Sequence, residues 1–295
     1  MSDTSGFDTT KRDGSSHVKT PSKSHYILSA DDSERERLNM QHRMLVRATG
    51  NRLILPSISL NHADRILDSG TGTGAWILDV IEHVPSSVTL QGIDISSSFF
   101  PNHDDRIVSR GNIDFSVGSI TNLPEHWSAG FALVNQRCLV TALQVHEWEA
   151  AIGEVFRALR PRGWVQFVEL GIFISGPVTE KQWSLTQALY SSRGLLNNCE
   201  KHIPKMLHDA GFVDLQVEEY MIPLGSWAGQ VGIESRDDMV MTFRNVKKHV
   251  LDGGGFGFVQ SEEEYDAAVD SMREEWDTID GSHIILHVFY AQKPL

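Results

Sequence analysis

The chain has 295 residues, a formal net charge of −13, and 40% hydrophobic residues. This is enough for one large domain or two small ones with a sizeable core. The acidic balance argues against a nucleic-acid backbone or an anionic membrane surface as the main partner, since both attract clustered Lys and Arg. No apolar run reaches transmembrane length, and the two cysteines, Cys138 and Cys199, lack metal-ligand spacing. We therefore expect a cytoplasmic monomer or homodimer without disulfide bonds or a metal.

The first 24 residues differ in composition from the rest of the chain. They are rich in Ser, Thr, Asp and Lys and carry almost nothing apolar. Such a segment cannot offset the entropy of ordering, so residues 1–24 are predicted to be a disordered tail. A single ordered domain is expected over residues 25–295.

A helix is predicted at the start of this domain. Ser33 and Glu36 have the spacing of a capping box, with Ser33 as the N-cap. One face of this helix then carries a mixed set of side chains: Leu38, Gln41, His42 and Leu45. It is either a capped surface helix or a lid formed by residues 25–60, with Tyr26 or His42 reaching inward.

The residues around the first predicted strand organise the chain. Residues 65–68 have the character of a buried strand end, and Gly70, Gly72 and Gly74 follow before a helical stretch at 75–84. Glycine permits positive φ and close approach of a ligand, and a helix start offers unpaired N–H groups to an anion. This order of features predicts a nucleotide-type binding site. The alternative is a structural turn without a ligand.

Two acidic residues indicate which ligand this loop holds. Residues 70–75 also satisfy the dinucleotide pattern, which alone is weak evidence. Asp68 would sit poorly beside a pyrophosphate but suits a ligand with a cationic group. Asp94 ends a second predicted strand, about 20 residues further on, at the spacing of a ribose-binding acid. A ligand with a ribose, an ammonium and a carboxylate is S-adenosylmethionine (SAM), whose product is S-adenosylhomocysteine.

The rest of the chain alternates apolar strands with amphipathic helices, which predicts a parallel α/β sheet. Further strands are expected at 114–120, 130–137, 164–169, 214–220 and 284–290, and helices at 147–159, 179–189 and 203–210. Ligands in such sheets bind outside the carboxyl ends of the strands. The side chains expected to converge there are Asp68, Asp94, Ser119 and Asn135.

These motifs resemble those of a known family. Leu-Asp-Ser-Gly-Thr-Gly-Thr-Gly at 67–74 is similar to the first motif of class I SAM-dependent methyltransferases, Asp94 matches their ribose-binding acid, and 159–164 resembles the turn before their fifth strand. Segments 26–28, 36–42, 135–137 and 222–227 resemble the fungal LaeA-like methyltransferases. The resemblance runs from Tyr26 to the C-terminus. It implies a Rossmann-like fold with a seven-stranded, mostly parallel sheet, an antiparallel last strand, helices on both faces and an added helical lid.

The resemblance also implies how the domain is divided. Residues 61–172 would bind SAM, while 173–210 and 221–283 would form a helical lid and insert. The implied cofactor contacts are Tyr26, Asp68, Gly70, Thr71, Gly72, Gly74, Asp94, Ile95, Ser119, Ile120, Asn135 and Gln136. Ser119 replaces the acid that many members use for adenine, so Ile95, Ile120 and backbone should hold that ring. Arg162 replaces a glycine in what we expect to be a surface turn.

Methyl transfer from a sulfonium needs alignment and exclusion of water more than activation of the donor. A general base is needed only if the acceptor must lose a proton. The base candidates are His42, His146 and Glu169; Tyr26 and Arg137 are candidate orienting groups, and Arg137 and Tyr190 are candidate substrate contacts. Each of them has a structural role as its alternative.

Three functions compete at this point. The first is methylation of an O, N or S atom of a small-molecule secondary metabolite. The second is a SAM-binding regulator of secondary metabolism that acts through protein partners. The third is an NAD(P)-dependent oxidoreductase, which Asp68 and the expected antiparallel last strand disfavour. The acidic residues of 221–283 predict a solvated helix face rather than a site for a cationic partner, and the glycine run at 253–258 predicts a flexible loop.

Overall fold

A computed structural model describes residues 32–295 of the chain. The predicted tail at 1–24 and Tyr26 lie outside the described residues. The strands are β1 (Arg65–Ser69), β2 (Thr89–Asp94), β3 (Ile113–Val117), β4 (Phe131–Arg137), β5 (Leu159–Ile174), β6 (Val213–Pro223) and β7 (His283–Gln292). The α-helices are α1 (Asp32–Ala48), α2 (Ala75–Val80), α3 (Asp105–Arg110), α4 (Val145–Ala158), α5 (Pro177–Arg193), α6 (Cys199–Asp209), α7 (Gly229–Asp252) and α8 (Glu262–Thr278).

The seven strands form one sheet in the order β3-β2-β1-β4-β5-β7-β6. The pairs among β1 to β5 are parallel, and β7 runs antiparallel to both of its neighbours, β5 and β6. This confirms the predicted Rossmann-like methyltransferase architecture. The order also sets the carboxyl ends of β1, β2 and β4 side by side, where the glycine loop and Asp94 lie.

Helices cover both faces of the sheet, so the central strands are buried almost throughout. Alternate residues of a strand therefore enter different cores. Leu67 packs in the core that includes α4 and α6, whereas Ile66 packs with α2 and α3. A third core joins α1, α5, α7 and α8 to the far end of the sheet.

The insert, residues 221–283, contributes α7 and α8 to this third core. Tyr265 and Trp276 of α8 are fully buried, while Glu262, Glu263 and Glu264 at its start are exposed. The predicted solvated acidic face is therefore present, but the opposite face of the same helix packs against α5 and α7. In the described part of the chain, no helix is long and apolar enough to cross a membrane.

Three local features differ in detail from the prediction. α1 already includes Asp32 and Ser33, so Ser33 lies within the helix rather than at its N-cap. The turn at 160–163 lies inside β5, where Arg162 adopts a φ of 61° and its N–H donates to the carbonyl of Lys293 at 3.0 Å. The glycine run forms a short 3-10 turn at Gly254–Gly257 after α7.

Candidate active site

A single continuous cavity of about 1360 Å³ lies at the carboxyl ends of the parallel strands. Its volume exceeds the roughly 300–1,000 Å³ of a site for one drug-sized ligand. One half is bordered by the glycine loop and the ends of β2 and β3, and the other half by β5, α5 and α7. The cavity is thus large enough for two ligands side by side.

The glycine loop presents its backbone to this cavity. Gly70 and Gly72 adopt φ values of 72° and 52°, a region that favours glycine. The N–H of Gly70 donates to the carbonyl of Ile93 at 2.9 Å, which ties the loop to β2. Among residues 32–295, a Cβ placed on Gly72 would meet only Leu38 of α1, at 3.7 Å. The loop therefore leaves room for a ligand to approach the main chain at Gly72.

Asp94 borders the cavity at the end of β2. Its carboxylate accepts the N–H of Gly72 at 2.9 Å and that of Ser96 at 3.1 Å. Burial raises the pKa of this carboxyl, and the two N–H donors act in the opposite direction. Each carboxylate oxygen keeps acceptor capacity for a further donor. Asp94 therefore shapes the loop and can also accept hydrogen bonds from ligand hydroxyls.

Asp68 and Asn135 were expected to face the ligand crevice, but both lie behind the cavity wall. Asp68 is 3% exposed and accepts the hydroxyl of Thr71 at 2.7 Å and the side-chain amide of Asn135 at 2.7 Å. Parallel pairing sets Asp68 directly beside Asn135, so these side chains satisfy each other. Burial raises the pKa of Asp68. Asp68 thus holds Thr71 and the glycine loop from below.

His42 links α1 to α2 and to the end of β4. Its Nε2 lies 2.8 Å from Oδ2 of Asp79, and its Nδ1 lies 3.0 Å from Nη1 of Arg137. Because a guanidinium can only donate, Nδ1 must accept and Nε2 must carry the proton. Burial, aided by the charge of Arg137, lowers the pKa of His42 to about 4. Both ring nitrogens of His42 are engaged and the ring does not border the cavity, whereas Arg137 does.

The other two base candidates also lie away from the cavity wall. His146 is exposed near the start of α4. Glu169 is fully buried and accepts the N–H groups of Leu139 at 2.9 Å and Val140 at 3.2 Å. Burial raises the pKa of Glu169 to about 8. Glu169 therefore holds the loop after β4, which itself borders the cavity.

The second half of the cavity is apolar and rich in aromatic rings, and we call it the aromatic chamber. Its lining side chains include Leu170, Phe173, Trp183, Tyr190, Met239 and Phe243. The Phe173 ring lies 5.5 Å from Trp183 and 5.3 Å from Phe243. The Tyr190 hydroxyl has no hydrogen-bond partner within residues 32–295, and burial raises its pKa.

Sequence reasoning missed most of this chamber. A signal was present, because Trp183, Thr186 and Tyr190 follow one another at helical spacing, the first two within the helix predicted at 179–189 and Tyr190 directly after it. The Phe173 and α7 contributions carried no such local pattern. Arg137 and Tyr190, the two predicted substrate contacts, both border the cavity.

The predicted cofactor residues fall into two groups in the described structure. Those that border the cavity are Gly70, Gly72, Asp94, Ile95, Ser119 and Ile120. Those that do not are Asp68, Thr71, Gly74, Asn135 and Gln136. The open backbone at Gly72 and the half-buried acid beside it fit the ribose-bearing ligand that the motif predicts.

Comparisons with known proteins agree with this geometry. Residues 66–163 match the family described as a methyltransferase domain. The N-methyltransferase gliN of Aspergillus fumigatus is 27% identical over 279 residues, which cover 90% of this chain and 95% of gliN. The N-methyltransferase sirN of Leptosphaeria maculans is 30% identical over 218 residues, covering 73% of this chain and 69% of sirN. The secondary metabolism regulator laeA of Aspergillus flavus is 25% identical, covering 68% of this chain and 54% of laeA.

One solved structure shows the same fold. Phosphoethanolamine N-methyltransferase 2 of Haemonchus contortus, in complex with SAM, matches with a TM-score of 0.50 at 18% identity, over 87% of this chain and 53% of that one. The family match removes the oxidoreductase alternative and confirms SAM as the cofactor and a small molecule as the acceptor. The chain belongs to the class I SAM-dependent methyltransferases, in the group that includes these fungal N-methyltransferases.

Proposed function

We propose that this methyltransferase transfers the methyl group of SAM to a nitrogen atom of an uncharged, largely apolar small molecule. The observation that carries this proposal is the aromatic chamber, which opens into the same cavity as Asp94 and the glycine loop. The transfer to nitrogen is supported by gliN and sirN, both named N-methyltransferases.

The cofactor would be held by a small set of groups in the half of the cavity that the glycine loop and the ends of β2 and β3 border, which we call the cofactor half. Asp94 would accept the ribose hydroxyls, Ile95 and Ile120 would enclose the adenine ring, and the backbone at Gly70 and Gly72 would lie against the amino-acid end. Bound SAM supplies a methyl group that is already activated on a sulfonium. The protein must then align an acceptor atom and exclude water.

The aromatic chamber supports an acceptor that binds without charge. None of the residues that β5, α5 and α7 contribute to the cavity wall is an Asp, Glu or His. A cation would therefore be buried without a counterion, which is costly. An acceptor nitrogen with a free lone pair needs no base in the chamber, and its proton can leave to water at the mouth of the cavity.

Arg137 is proposed to orient the acceptor. It donates one hydrogen bond to His42, and its other N–H groups have no hydrogen-bond partner in the described part of the chain. They are therefore available to a carbonyl oxygen of the uncharged acceptor. In this proposal His42 positions Arg137, Glu169 holds the loop at 139–140, and His146 has no catalytic role.

α1 is proposed to act as a lid over the cofactor half. Leu38 and Gln41 border the cavity, and the hydroxyl of Thr73 donates to Oδ1 of Asn39 at 2.8 Å, which ties α1 to the glycine loop. Closure of this helix would keep water from the sulfonium. We also propose that the protein acts in the cytoplasm as a monomer or homodimer; the two free thiols support a reducing compartment.

The test combines an acceptor screen with a matched pair of tryptophan variants. Tritiated SAM is supplied with neutral aromatic amines and amides, with phenols and thiols of similar size, and with permanently charged analogues, and mass spectrometry locates the added methyl group. Trp183→Ala should raise the acceptor KM by about tenfold or more, because it removes a large apolar contact. Trp227→Ala, at a side chain 39% exposed, is the control. Preference for the charged analogues, or an unchanged KM in Trp183→Ala, would contradict the proposal.

A further inference from the structure

The helix that forms one wall of the aromatic chamber does not cap itself. The residue before α5 is Gly176, which has no side chain to receive the N–H groups of the first turn. Glu275 of α8 receives them instead. Its Oε1 accepts the N–H of Val178 at 2.9 Å, and its Oε2 accepts the N–H of Thr179 at 2.8 Å and the Thr179 hydroxyl at 2.6 Å.

The site around this carboxylate is closely fitted. A Cβ on Gly176 would lie 2.4 Å from Oε1 of Glu275, so a side chain at this position would displace the carboxylate. Glu275 is 9% exposed, and the positive end of the α5 dipole faces it. The adjacent Trp276 donates from Nε1 to the Thr179 hydroxyl at 2.9 Å, so the two neighbouring residues of α8 hold the same turn.

The same turn is connected to the chamber. Trp276 is fully buried and its ring stacks on Phe173, with 5.7 Å between centroids and an angle of 5°. Trp183, which borders the chamber, lies within the first two turns of α5. The later turns are fixed independently, because Leu185 and Leu189 are buried in the core. Loss of the cap would therefore shift Trp183 without unfolding the helix.

We infer that Glu275 is a positioning residue that sets how tightly the acceptor binds, although it does not touch the acceptor. It fixes the first turn of α5 and thereby the position of the Trp183 ring against Phe173 in the chamber wall. This inference rests on the proposed role of the chamber as the acceptor site. It assigns the insert a direct part in acceptor selection, through α8.

The test compares Glu275→Gln with Glu274→Gln, which makes the same charge change on an exposed neighbour. In Glu275→Gln, one backbone N–H faces the amide NH2 group and loses its acceptor. The affinity of the chamber is measured with the uncharged fluorophore N-phenyl-1-naphthylamine as the probe. The affinity for S-adenosylhomocysteine is measured by calorimetry. Glu275→Gln should weaken probe binding by about fivefold to tenfold, the effect of a lost helix cap. Its affinity for S-adenosylhomocysteine should stay unchanged, as should both affinities in Glu274→Gln.

Two further variants keep the result interpretable. Glu275→Asp retains the charge and should recover part of the probe affinity. Thr179→Val keeps the backbone cap but removes the shared hydroxyl, so it should weaken probe binding, by less than is expected for Glu275→Gln. This variant provides the test if Glu275→Gln does not fold. Unchanged probe binding in Glu275→Gln, or an equal loss of S-adenosylhomocysteine affinity, would overturn the inference. If Trp183→Ala also leaves probe binding unchanged, the proposed chamber itself fails; if Trp183→Ala weakens it and Glu275→Gln does not, only the role of Glu275 fails.

Discussion

The placement of Asp94 leads to a quantitative prediction for cofactor binding. Asp94→Asn keeps the shape of the side chain but replaces one carboxylate oxygen with an NH2 group that cannot accept. The two N–H donors of Gly72 and Ser96 already use one acceptor position on each oxygen. The variant therefore loses the charge and at least one acceptor that a ribose diol needs. Hydrogen bonds to a charged group contribute about 1.5–3 kcal/mol. S-adenosylhomocysteine should bind about 10-fold to 150-fold more weakly.

Calorimetry with S-adenosylhomocysteine measures this loss directly. Asp280→Asn is the control, since Asp280 is exposed and does not border the cavity, so the charge change is equal and affinity should stay unchanged. Affinity should also fall on acidification at a higher pH than for an exposed aspartate, because burial raises the pKa of Asp94 and binding uses its ionised form. Unchanged affinity in a folded Asp94→Asn protein would remove Asp94 from the cofactor site.

Three other predictions concern the loop, the lid and a buried acid. Gly72→Val should abolish S-adenosylhomocysteine binding by calorimetry, since a β-branched residue is strained at a φ of 52° and its side chain would enter the cavity; normal binding would contradict the proposed cradle. S-adenosylhomocysteine should protect residues 32–45 from hydrogen exchange, and equal exchange with and without it would rule out the lid. Burial raises the pKa of Asp238 to about 7, so the folded state holds a proton that it loses as the pH rises through 7. The free energy of unfolding of the wild type should therefore fall by about 1 kcal/mol between about pH 6 and 8, whereas that of Asp238→Asn should lack this loss. Urea titrations at the two pH values measure both. The same pH dependence in both proteins would refute this prediction.

The cofactor half of the site could be predicted because its geometry is local. A strand, a glycine turn and a helix follow one another without a break, and Asp94 ends the neighbouring strand. The parallel register of β1 and β2 then brings Asp94 next to Gly72. Asp68 was expected to face the ligand, but its side chain pairs with Asn135. Because Asn135 belongs to β4, the local motif around Asp68 could not reveal this pairing.

The polar contacts around α1 and α5 could not be predicted from local patterns. His42 meets Asp79 and Arg137 at separations of 37 and 95 residues, on three different elements. The sequence shows that His42 lies on a mixed polar and apolar helix face, but it does not show which side chains His42 would contact. A histidine and a buried glutamate in a methyltransferase suggest catalysis. In the folded chain the partners of His42 are Asp79 and Arg137, and those of Glu169 are backbone N–H groups, so we propose a positioning role for both.

The division between the matched family region and the rest of the chain bears on acceptor choice. The methyltransferase domain match ends at residue 163. Within it lie the glycine loop, Asp94 and Arg137, whereas every lining residue of the aromatic chamber named above follows it in sequence. The cap on α5 comes from still further along, in the insert. If the chamber binds the acceptor as proposed, substitutions in α5, α7 and α8 should alter acceptor choice while S-adenosylhomocysteine affinity stays unchanged. The acidic composition of α8 predicts a solvated face, and its first acids are indeed exposed. Glu275, the residue that we infer couples the insert to the chamber, is buried on the opposite face, so composition alone does not identify it.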